Sequence, residues 1–301
     1  MSDDIFNAKT LLNSIDNSSL MLHLTGRKRD NDLYSITPTI ESKVQTEIIN
    51  IIEAQIFYYD NQRLKAYNIV GSSDETVEVT EFENFKDELD EIISSLKVPN
   101  ACSNIDPNDY DFFVYELRNK KGKNPVYIFR RLNKMKALKK GIIGQIINGA
   151  FSSLESSKFL GIDNALDFIV INKKIFVFHH ISLERILKLK DKFKEKAKEV
   201  LNNDEFPDKI KNFNKLKEKA LENGNYVKRL AKLHDNGKVT AFLDQIDRTK
   251  SVIDQFDLDI EVENGKLVYR DETQVGNFIN LMQDSYYRTL IGKQNGIDEN
   301  R

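Results

Sequence analysis

Two adjacent runs, ALDFIVI from Ala165 to Ile171 and KIFVFHH from Lys174 to His180, constrain the fold of this chain more than any other stretch. Almost every residue in them is apolar, β-branched or aromatic, and only Asn172 and Lys173 stand between. A strand that is apolar on both sides has to be covered on both faces, so the pair predicts a hairpin at the centre of a sheet.

Other strand signals surround it. YDFFVYEL and PVYIFRRL, separated by a turn containing Gly122 and Pro125, predict a second hairpin from Tyr110 onward. Ser19–Thr25 and Leu33–Ile36 flank the polar GRKRDND and predict a third. GIIGQIINGAF, with three glycines in eleven residues, suits a strand with close backbone approaches. LDIEVENGKLVYR places Asn264 and Gly265 between alternating strands, as a type I′ turn requires.

Helical spacing appears between these runs. From Ile40 to Tyr58, Val44, Ile48, Ile51, Ile52, Ile56 and Phe57 fall three and four apart; from about Asn84 to Leu96, Phe85, Leu89, Ile92, Ile93 and Leu96 do the same. After the central hairpin, ISLERILKLKDKFKEKAKEVL carries Ile186, Leu189, Phe193, Ala197 and Val200 on one stripe. A second helix is predicted to begin near Pro207 and end at Gly224, a third from Val239 to Gln255, and QVGNFINLMQDSYYRTLI reads as a helix followed by an edge strand. The expected class is α+β: a mixed sheet core built from hairpins, flanked by a long-helix region and a C-terminal hairpin and helix. Pro99 and the polar residues around it suggest a boundary between an N-terminal α/β part, 1–100, and a second part, 101–301.

Composition narrows the function classes. With 301 residues, 40% hydrophobic and 31% charged, the chain can bury a sizeable core. Its start is acidic and no apolar run approaches a membrane span, so a cytoplasmic chain is expected. The single cysteine, Cys102, offers no internal disulfide and no zinc cluster. No Walker loop, GxGxxG, HExxH or GxSxG motif occurs, and no cofactor is expected.

Charge is the strongest functional indication. The net charge is −2, yet no acidic residue lies between Glu116 and Glu155; that interval carries +10 and the remainder −12. Its cations are Arg118, Lys120, Lys121, Lys123, Arg130, Arg131, Lys134, Lys136, Lys139 and Lys140. The Lys-rich helices further on interleave acids at helical spacing and read as solvated faces, whereas these ten residues fall on a loop and strand ends with nothing local to offset them. Such segregation suits a polyanion such as DNA, although acidic segments elsewhere offer a protein docking face as the alternative.

Two catalytic readings are weaker. Asp109, Asp111 and Glu116 with Arg118 loosely match the carboxylates and cation of a Mg²⁺-dependent nuclease, but Asp111 and Glu116 would point to opposite faces of one strand. His179 and His180, expected to close the central hairpin, would likewise face opposite sides, and Asp167 stands across from them to orient one imidazole. A solvated strand end is the simpler expectation for the carboxylates, and a satisfied structural role for the histidines.

From the acid-poor strand pair, through ALDFIVINKKIFVFHHISLERIL, to NFINLMQDSYYRTLIGK, about Tyr110 to Lys293, the sequence resembles the KwaB family of the Kiwa anti-phage defence system. The resemblance implies a cytoplasmic, dimeric DNA-binding protein that hinders phage DNA replication and transcription and works with KwaA, a membrane-embedded partner. It carries over no residue role, so the ten cations rest on the charge argument alone. A nuclease, or a protein-bridging subunit without DNA binding, are the alternatives.

Overall fold

A computed structural model describes residues 5–28, 32–71, 75–97, 109–132, 144–147, 150–153, 161–234 and 238–298. Two compact units emerge: residues 1–67 with 72–188, and residues 68–71 with 189–301.

The first unit is organised by an eight-stranded sheet. Its elements are α1 (Ala8–Leu12), β1 (Ile15–Arg27), β2 (Leu33–Ile36), α2 (Ser42–Tyr58), β3 (Arg63–Ala66), β4 (Thr76–Glu81), α3 (Lys86–Lys97), β5 (Phe112–Asn119), β6 (Val126–Arg131), β7 (Gly144–Ile147), β8 (Ala150–Ser153), β9 (Phe168–Ile171), β10 (Lys174–Val177) and α4 (His180–Ile186). Strand order is β2-β1-β5-β6-β9-β10-β4-β3; only β3 and β4 pair in parallel, so the sheet is mixed. The strands β7 and β8 form a separate pair.

The central hairpin lies where its sequence demands. β9 and β10 pair antiparallel across Asn172 and Lys173, whose φ values of 50° and 65° give the left-handed turn that matches strand twist. Side chains alternate across β5, β6 and β9. Phe113, Tyr115, Leu117, Val126, Ile128, Ile169 and Ile171 join the core that includes Ile48, Ile52 and Ile56 of α2. On the opposite face, Phe129 and Phe168 stack with centroids 4.3 Å apart, and Phe112 lies beside Phe129. Both faces are therefore buried, as the apolar runs require. The α2 stripe is narrower than its spacing suggests, since Val44 and Phe57 are exposed.

Strand pairing crosses the region near residue 100 where the sequence suggests a boundary. β1, well before it, pairs with β5, after it, in a ladder running from Ile15 opposite Asn119 to Thr25 opposite Phe112. Hydrogen bonding thus joins the two sides into one sheet, and residues from Leu189 onward belong to the second unit. Pro99 itself lies outside the described residues.

The second unit contains α5 (Leu189–Leu201), α6 (Phe206–Lys209), β11 (Ile210–Lys211), α7 (Phe213–Glu222), α8 (Gly224–His234), α9 (Lys238–Asp244), α10 (Ile246–Phe256), β12 (Glu261–Glu263), β13 (Lys266–Val268), α11 (Val275–Met282), β14 (Tyr286–Arg288) and β15 (Asn295–Ile297). Expected long helices are cut by single residues of left-handed backbone. Lys188 (φ 52°) separates α4 from α5, and Asn212 (φ 63°) separates β11 from α7. Gly224 opens α8 rather than only closing its predecessor. The Asn264–Gly265 turn forms, and β13 also takes a parallel partner in β11.

Candidate nucleic-acid interface

Among the described residues, the cations of the acid-poor interval divide between the two ends of one hairpin. Antiparallel pairing of β5 with β6 puts Arg118, Lys120, Lys121 and Lys123 at the turn end of the hairpin, and Arg130 and Arg131 at the other. From Val126 to Arg131 the strand advances five residues, roughly 16 Å. Lys134, Lys136, Lys139 and Lys140 lie outside the described residues.

Arg130 is the clearest revision. Its side chain is only 11% exposed and is held by acids from beyond the interval: Nε donates to Asp163 Oδ1 at 2.8 Å, Nη2 to Asp163 Oδ2, and Nη1 to Asp167 Oδ1 at 2.7 Å. Burial disfavours the guanidinium charge, but the hydrogen bonds and negative charges of Asp163 and Asp167 outweigh it and raise the pKa. Its charge is neutralised in place. Asp167, with no exposed side-chain surface, is equally committed, because its other oxygen accepts the Arg131 backbone N–H. The Asp167 backbone completes the junction, donating to Phe129 O and accepting from the N–H groups of Phe178 and His179. Arg131 is half-buried.

At the opposite end, three features converge. Asn119 Oδ1 accepts the backbone N–H groups of Lys121 and Gly122 at 2.9 and 3.0 Å, an Asx-type turn that holds the β5–β6 loop. Asn119 Nδ2 donates to Asn172 Oδ1 at 2.8 Å and ties that loop to the β9–β10 turn. Gly122 is needed here because a Cβ would lie 2.6 Å from Asn119 Nδ2 and 2.7 Å from Asn172 Oδ1. The linkage brings exposed Lys173 and Lys174 alongside Arg118, Lys120, Lys121 and Lys123. Asp16, whose carboxylate is 3.8 Å from Arg118, and Glu81, the cross-strand neighbour of Lys174, are acids at the margin of this group. A shallow cleft of about 360 Å³ opens beside it, lined by Ser19, Met21, Glu116, Arg118, Lys123 and Pro125 among others.

The sequence reading missed Lys173 and Lys174, because only the register of β6 with β9 places the two turns together. Spacing alone offered no sign of it.

Of the carboxylates weighed for a nuclease, Glu116 faces a histidine. Glu116 Oε2 lies 3.3 Å from Nε2 of buried His23, within ion-pair reach although without hydrogen-bond geometry, and His23 Nδ1 is 2.8 Å from Thr37 Oγ1. Among the described residues, no three His, Cys, Asp or Glu side chains gather as metal ligands.

His180 also departs from expectation. It begins α4 instead of ending a strand, and its imidazole bypasses Asp167 to meet Glu78 through Nδ1 at 2.8 Å and Glu184 through Nε2 at 2.9 Å. Tyr67 stacks on the ring with centroids 4.8 Å apart. Burial works against the charged imidazole, but its hydrogen bonds to Glu184 and Glu78, with their negative charge, prevail and push its pKa up to about 9. A histidine with a raised native pKa stabilises fully below its unfolded value near 6.5 and loses that contribution as pH climbs through 9. Unfolding stability is expected to fall by about 2 kcal/mol between pH 7 and 10, after allowance for solvent screening. His180→Gln should flatten that slope in urea titrations at a series of pH values; an unchanged slope would assign it to other groups.

These features define an α+β protein with a mixed eight-stranded sheet, two of whose turns, joined by the Asn119–Asn172 bond, carry exposed cations. A protein-family model described as Kiwa protein KwaB-like matches residues 108–292, more than half of the chain, and the chain belongs to that family. Membership ties it to Kiwa anti-phage defence. No curated protein and no solved structure matches it. Among the described residues, no helix is long and apolar enough to cross a membrane.

Proposed function

We propose that this chain is a DNA-binding effector of Kiwa defence, and that Arg118, Lys120, Lys121, Lys123, Lys173 and Lys174 contact the phosphate backbone. One observation carries the reading: the Asn119–Asn172 bond joins two lysine-bearing turns, so six cations from separate sequence segments share one end of the sheet. Backbone phosphates carry no sequence information, and these residues offer charge without a helix or ribbon to enter a groove, so binding is largely sequence-independent. The effector holds phage DNA against replication and transcription, as a homodimer in the cytoplasm, at the inner face of the membrane through a KwaA-like partner.

Counterion release sets the test. Six phosphate contacts give a slope of roughly −5 for log K against log salt on duplex DNA. Mobility shifts on duplex and single-stranded DNA at several salt concentrations, with and without EDTA, should show that slope and no metal requirement. Retardation indifferent to salt would count against the turn cluster, and retardation or nicking that needs Mg²⁺ would favour the nuclease reading.

A further inference from the structure

The C-terminal hairpin carries chemistry that DNA binding leaves unused. β14 and β15 pair from Tyr286 opposite Ile297 to Arg288 opposite Asn295, and the loop between them raises Leu290 and Ile291 at its apex. These two side chains are 86% and 99% exposed, and Tyr287 and Ile297 on the strands below are each nearly half exposed. A single exposed leucine is commonplace, but two adjacent branched aliphatics at the point of a turn are not hidden by any fold of the loop itself.

The loop is also well tied. Thr289 N donates to Gln294 O at 2.9 Å, Lys293 N to Thr289 O at 3.1 Å, Gln294 N to Thr289 Oγ1 at 2.9 Å and Arg288 Nε to Lys293 O at 2.9 Å. Its own hydrogen bonds therefore present the aliphatic pair in a preformed turn. Arg288 and Lys293, both exposed, flank the pair, and no acidic residue occurs from Tyr286 to Ile297.

We propose that this hairpin is a membrane-contacting finger, with Leu290 and Ile291 entering the headgroup–acyl boundary of an anionic bilayer and Arg288 and Lys293 meeting lipid phosphates. The shape argues for lipid: the apolar surface is a convex point, which a yielding bilayer receives more readily than a second protein without a matching groove. Charge agrees, since cations beside exposed aliphatics and a tyrosine are the composition that holds a segment at an anionic interface. One such finger binds weakly and reversibly, so it orients the protein at a surface instead of anchoring it.

The chain has no tryptophan, which makes the test direct. Ile291→Trp installs the sole indole at a fully exposed position, and its emission should shift to the blue with vesicles of equal parts phosphatidylglycerol and phosphatidylcholine, and much less with phosphatidylcholine alone. Replacing Leu290 and Ile291 together by serine should lower the fraction sedimenting with the mixed vesicles about tenfold. Because both side chains are solvent-exposed, thermal unfolding and DNA retardation of that double variant should match the parent. Absence of a blue shift with the mixed vesicles would overturn the proposal, as would a shift that appears on raising protein concentration without lipid, which would make the finger a contact between copies of this chain.

Discussion

Asp167→Ala is expected to destabilise the first unit by about 3–5 kcal/mol and lower its Tm by roughly 10 °C. The carboxylate is fully buried and accepts from Arg130 Nη1 and the Arg131 backbone N–H, so truncation leaves two donors, one of them charged, without that acceptor away from water. Asp163 still holds Arg130, but its side chain is 41% exposed, so water screens that pair more than it does the Asp167 one. Asp167→Asn keeps the volume and one acceptor oxygen while turning an amide N–H₂ toward a donor, so it should be destabilising as well, by a smaller amount. Urea unfolding followed by far-ultraviolet circular dichroism measures both, and a loss below about 1 kcal/mol for Asp167→Ala would show that the junction of β6, β9 and β10 does not depend on this group. The same result bears on function. A variant at Asp167 that loses an activity in cells reports first on folding, and its abundance has to be measured before any catalytic role is considered.

How far the sequence alone led depends on whether each feature is local. The β9–β10 hairpin was legible because two apolar runs and a turn fitted for left-handed backbone occupy consecutive residues, and the Asn264–Gly265 turn was legible for the same reason. The pairing of β1 with β5 was not, since 84 residues, 28–111, separate the strands and neither run encodes its partner. Charge shows the distinction most sharply. Arg130 looked uncompensated because its acids, Asp163 and Asp167, lie past the end of the acid-poor interval, and only the antiparallel return of β9 beside β6 delivers Asp167 to it. Lys173 and Lys174 illustrate the converse, being part of an ordinary hairpin in sequence and neighbours of the lysine loop in space. Linear charge segregation therefore overstated how many cations of this strand pair face outward, since Arg130 is buried against acids and Arg131 is half-buried.

Reversing Lys120, Lys121 and Lys123 together to Glu is expected to weaken DNA binding by about two orders of magnitude at moderate salt and to reduce the salt slope from roughly −5 to roughly −3. Three fewer neutralised phosphates account for the change in slope, and the three new carboxylates add repulsion of the phosphates that deletion to Ala would not. Folding should survive because the side chains are exposed and the loop is held by Asn119 through backbone N–H groups, which the substitutions leave in place. A matched variant separates the turn from the overall field. Lys43, Lys65 and Lys97, exposed on α2, β3 and α3, changed together to Glu alter the net charge equally while sparing the turns. The turn variant should lose far more affinity than this one. Equal losses would mean that DNA responds to net charge alone, and full binding by a folded turn variant would move the contact to cations beyond Lys120, Lys121 and Lys123, with Arg131 and the four lysines from Lys134 to Lys140 next to be reversed. Arg130 belongs in neither set, because its removal breaks the Asp167 junction and confounds weaker binding with a damaged fold.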